Sequence, residues 1–157
     1  MNELMIADAN VFHHAFTILA NKMNEGVIMN NIKDIGLLMP VVVNGALGCE
    51  LYIKSMLSSV PKTHKLNELF ELLEQSIQSC VFSIMVDIGK MKDSQYDEDK
   101  FREQLGEYGD SFVEWRYFYE YEPKIDINFI KNLLAVLEGI VDAKRKGIDL
   151  SKVEIHR

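Results

Sequence analysis

The chain has 157 residues, 48% of them hydrophobic and 26% charged, with a formal net charge of −7. That length suits a single domain over residues 1–157, able to bury roughly two-thirds of its unfolded surface. Net acidity gives no general attraction for phosphate backbones, so nucleic-acid binding would need a local basic patch. Two cysteines without a CxxC spacing, and no cationic leader, point to a reduced cytoplasmic setting.

The first predicted helix covers residues 7–23, where Phe12, Phe16, Leu19 and Met23 recur four, three and four apart. Asn24, Glu25 and Gly26 are expected to end it, with Gly26 suited to a left-handed cap. The second helix covers residues 38–58. Pro40 is tolerated there because first-turn amides have no intrahelical partner. Val41 to Gly45 could instead form a strand and an Asn-Gly hairpin turn. The helical period continues through Leu57 and favours the helix. Gly45 and Gly48 weaken helix propensity, a cost that close approach of another helix would explain. The run from Ile35 to Leu51 is shorter than a bilayer span and is interrupted by Pro40, Asn44 and Glu50, so no membrane association is expected.

Thr63 is a candidate N-cap for a third segment. Its apolar positions run from Leu66 to Ile88 as one long helix or two nearly collinear ones. Residues 92–98 are polar and read as a loop. A fourth helix starts near Asp97 and places Phe101, Leu105, Tyr108, Phe112, Trp115 and Tyr119 on one face, until Pro123 stops it. The fifth runs from an Asp126 cap to about Lys146, closed by Gly147. Lys144, Arg145 and Lys146 read as cations finishing that helix, where its dipole favours them. Residues 148–157 show no clear period. About five amphipathic helices with short connections make an all-α, up-and-down bundle.

Few signatures of chemistry stand out. No phosphate loop, GxSxG, HExxH or EF-hand is present, and no metal or cofactor is expected. His13 and His14 are adjacent, so on a helix they point about 100° apart and cannot form an i, i+4 metal pair. Glu50 and Lys54 have i, i+4 spacing with the acid first, which suits a surface salt bridge. They also lie in the most apolar helix, where a charged couple could reach a neighbouring helix. The densest aromatic segment surrounds Arg116 with Phe112, Trp115, Tyr117, Phe118, Tyr119 and Tyr121. There a guanidinium can lie over rings or take a carboxylate such as Glu50.

Three segments in order resemble the HEPN superfamily over residues 7–141: Gly48-Cys49-Glu50-Leu51 with Lys54 and Leu57, then Thr63-His64 with Leu66 and Leu69, then Arg116-Tyr117. The resemblance implies a helical bundle that commonly forms homodimers through helical faces. Many members belong to toxin–antitoxin, abortive-infection or other defence systems. Its catalytic members are metal-independent endoribonucleases in which four to six residues separate an arginine from a following histidine. Arg116 matches that arginine, but the histidine window holds Tyr121, Glu122 and Pro123. A tyrosine with a pKa near 10 is a poor acid–base substitute at neutral pH. The resemblance therefore implies a non-catalytic dimeric binding or interaction module, with room for a protein partner. Glu50, Lys54, His64, Arg116, Tyr117 and Tyr119 are its candidate interface or anion-binding residues, His64 being a cap or packing residue. Two alternatives stand beside it: a divergent endoribonuclease using Arg116 and Tyr121, and a nucleotide-binding domain in which Arg116 clamps phosphate while tyrosines stack a base. Net charge supports neither nucleic acid nor nucleotide as the ligand.

Overall fold

A computed structural model describes residues 1–108 and 126–150. Among them the helices are α1 (Glu3–Met29), α2 (Ile32–Ile35), α3 (Leu38–Met56), α4 (Leu66–Glu71), α5 (Gln75–Lys90), α6 (Glu98–Glu107) and α7 (Ile127–Arg145), with no strand. The protein is an all-α bundle, as the periodicity predicts.

Helix α3 is central, packed against α1, α4 and α7. Its direction follows from its neighbours. Asn2 donates its amide to the Ser55 carbonyl, while Gly48 lies against His13 and Gly45 against Phe16, so α1 and α3 are antiparallel. Gly45 also meets Ile130 and Gly48 meets Leu134, so α3 and α7 run parallel. A Cβ at Gly48 would lie 2.8 Å from Leu134 Cδ2, and one at Gly45 would lie 2.9 Å from Phe16 Cδ2 and closer still to Ile130. These glycines let three helices touch backbone to side chain, which offsets their poor propensity. Val41 to Gly45 is helical, and the Asn44 side-chain amide bonds back to the Pro40 carbonyl at 2.7 Å, so the hairpin alternative does not occur.

Two boundaries differ from expectation. Helix α1 begins at Glu3, capped by Asn2, and runs through Gly26 to Met29. The left-handed cap falls on Asn30, at φ 52°. Gly26 is there for packing: a Cβ on it would collide with Asp34, so only glycine lets α2 fold back over the end of α1. The segment after Thr63 is two helices. Its N-cap is Lys65, without a side-chain cap bond, and Thr63 instead accepts from the Lys65 amide at 3.3 Å and donates to Glu68 at 2.6 Å. The buried Gln78 amide donates to the carbonyls of Glu71 and Leu73 at 3.2 and 2.9 Å, satisfying the acceptors that the break after α4 exposes.

The predicted Asp126 cap and Gly147 stop hold: Asp126 accepts from first-turn amides of α7, and Gly147 closes it at φ 72°. Helix α6 starts where expected, with Asp97 accepting from the Lys100 amide as its cap. The cationic end of α7 is paired: Arg145 with Glu3 at 2.9 Å, and Lys144 with Glu74 at 3.1 Å. Ile32–Met56 is a longer apolar stretch than the sequence reading allowed, with mean hydropathy 1.5 and enough length to cross a membrane. It is broken between α2 and α3, and α3 carries the buried charges Glu50 and Lys54. A helix enclosed by three others accounts for that apolarity.

Candidate functional site

Three of the predicted site residues come together. Glu50 and Lys54 sit one turn apart on α3, their side chains only 8% and 6% exposed. Lys54 Nζ donates to Glu50 Oε1 at 2.8 Å. The same oxygen pairs at 2.9 Å with His64 Nδ1, which must carry the ring proton to donate. His64 belongs to the turn before α4 and is 64% exposed, so it covers the pair from the solvent side. Thr63 and Lys65 hold that turn through the bonds described above, and Leu66, buried behind His64, anchors it to the core.

The i, i+4 pair is therefore a core pair, not a surface one. Isolated burial of either charge would be prohibitive, and each compensates the other. A buried carboxylate that orients an exposed imidazole can relay a proton. Among the described residues no cluster of three His, Cys, Asp or Glu side chains forms a cage for a metal. Cys49 and Cys80 are buried and free, and burial pushes both thiols up, so neither is poised as a nucleophile. His13 reaches Glu138 on α7 at 3.3 Å, and His14 is exposed. Arg116, Tyr117, Tyr119 and Tyr121 lie outside the described residues, as does residue 109 onward of the predicted fourth helix; α6 itself extends to Glu107.

Sequence reasoning missed several polar anchors. Tyr52 on α3, fully buried, donates its hydroxyl to Asn10 on α1 at 2.7 Å. Tyr108 donates to the Asp126 carbonyl at 3.0 Å and accepts from the Asp126 amide at 2.9 Å, joining the ends of α6 and α7. Arg102 on α6 bonds Glu98 and Glu71 and lies 4.7 Å from the centre of the Phe82 ring. Of these contacts only Glu98–Arg102 is local, at i, i+4 spacing, and the other partners are distant in sequence.

The fold and these contacts define an all-α helical bundle with a buried ion pair beneath a surface histidine. No protein-family model, curated protein or solved structure matches the chain.

Proposed function

We propose that this chain is a non-catalytic, HEPN-like interaction module that works as a homodimer, in a bacterial defence or toxin–antitoxin-type system. The supporting observation is the outer face of α1. Leu4, Val11 and Ile18 recur every seven residues and are 73%, 65% and 54% exposed. A parallel seven-residue series three positions on holds Ala7, His14, Asn21 and Ile28, and the first series ends at Glu25, so the apolar seam covers the first two-thirds of α1. A bundle complete in itself would place polar side chains there, whereas a seven-residue apolar seam suits a second helix. The most economical second helix is α1 of another copy, since a two-fold contact uses one patch twice. At 27 residues α1 is about 40 Å long, enough for such a seam. The Glu50–Lys54–His64 set fits a supporting role, its charges spent on one another.

Sedimentation equilibrium of the wild type and of Val11→Glu/Ile18→Glu tests this. The wild type is expected to be a dimer. The variant should be a monomer with an unchanged melting temperature, because both side chains are exposed in the protomer. A wild type that stays monomeric at the highest attainable concentration overturns the dimer. RNA cleavage that disappears in Arg116→Ala would overturn the non-catalytic part.

A further inference from the structure

An opening of about 530 Å³ lies between α5, α6 and the first two turns of α7, within the usual size of a small-ligand pocket. Its apolar lining comes from Met85 and Phe129, both buried, and from Ile88 and Tyr96. These walls are held in place by the protein itself. The Phe129 ring stacks on Tyr108, with centroids 5.7 Å apart and planes 7° apart. Gly89 lets the Tyr96 ring lie against α5, where a Cβ would run into it. The Tyr96 amide bonds the Asp93 carbonyl at 2.8 Å, and Asp93 Oδ2 takes the Lys100 ammonium at 2.6 Å. Asp93 and Lys100 are thus spent on the wall, as Asp126 is spent on capping α7.

Two half-buried carboxamides on the same wall have bonding capacity left. Tyr96 donates its hydroxyl to Gln104 Oε1, which orients the amide and leaves the Gln104 Nε2 hydrogens unused. Asn132, one turn along α7 from Phe129, lines the opening and has no side-chain hydrogen bond among the described residues. A pair of donors and a complete carboxamide therefore border a ring-walled apolar space.

We infer that this opening binds a neutral, planar heterocycle with a lactam edge, a ring C=O beside a ring N–H. The flat body lies on Phe129 and Met85, whose ring and thioether suit a polarisable face. Gln104 Nε2 donates to the ligand carbonyl, and Asn132 Oδ1 accepts from the ring N–H. The same flat body without the lactam edge gains the apolar contact and leaves both carboxamides unmet. Every residue of the site comes from one copy of the chain, so binding does not depend on dimerisation.

The full chain is titrated calorimetrically with carbostyril, a bicyclic lactam, with N-methylcarbostyril and with quinoline, which keeps the rings and lacks the lactam. Carbostyril should bind saturably and raise the melting temperature. The other two should bind about tenfold more weakly, because at least one hydrogen bond goes unmade. Asn132→Leu should leave the unliganded melting temperature unchanged, weaken carbostyril about tenfold and leave quinoline unaffected. Gln104→Glu keeps an acceptor for Tyr96 but removes the donors, and should weaken carbostyril to a similar degree. No saturable binding of carbostyril, quinoline binding as tightly as carbostyril, or affinity for carbostyril indifferent to both variants would each overturn the inference.

Discussion

Glu50 and Lys54 show how one residue pair can be visible in a sequence while its meaning is not. The spacing predicts contact, and contact is found, but the same spacing serves a solvated face and a core. What decides is that α3 is enclosed by α1, α4 and α7, which a single helix cannot reveal. The expected energetics differ accordingly. Lys54→Met alone should destabilise the protein by about 3–5 kcal/mol, because it strands a buried carboxylate. Glu50→Leu/Lys54→Met removes both charges and should recover most of that loss. His64→Ala, on an exposed partner, should cost under about 1 kcal/mol. Urea denaturation of the three variants checks this; a double variant no better than Lys54→Met would mean the pair contributes net stability.

At the scale of elements, the glycines carry most of what was ambiguous. Gly26 looks like a helix stop because glycine is the usual left-handed cap, yet it serves contact with Asp34 and the stop falls on Asn30. Gly45 and Gly48 were legible as close-approach sites, since two propensity losses on one apolar helix call for compensation. The break between α4 and α5 was not fixed by the sequence, because the apolar period runs across it and the satisfying group, Gln78, lies downstream. Glycine substitutions should split in sign. Gly45→Ala is expected to cost about 1–3 kcal/mol, as an added methyl meets Ile130 and Phe16 in a packed interface. Gly139, on the exposed side of α7, has no atom within 4 Å of an added Cβ. Gly139→Ala should therefore stabilise by about 0.5–1 kcal/mol through helix propensity. Thermal melts of the two variants moving in the same direction would contradict this account.

At the scale of the whole molecule, helix class and most caps were readable because they rest on local chemistry, whereas the contacts closing the bundle were not. Several of those closing contacts are tyrosines. Tyr52 joins α3 to α1, Tyr108 joins α6 to α7, and Tyr96 seats the α5–α6 loop. Burial is the first cause raising all three phenols, to about 12 for Tyr96 and further for the other two. A folded-state value above the unfolded one, near 10, means the unfolded chain gives up these protons first. Their contribution is complete below about pH 10 and is lost as pH rises toward the folded values, at up to about 1.4 kcal/mol per pH unit for each tyrosine. The protein should therefore lose stability steeply in alkali. Tyr52→Phe/Tyr108→Phe, less stable at neutral pH, should show a markedly shallower decline of its urea midpoint between neutrality and strong alkali. Equal slopes for the double variant and the wild type would mean that these hydroxyls do not govern the alkaline limit of the fold.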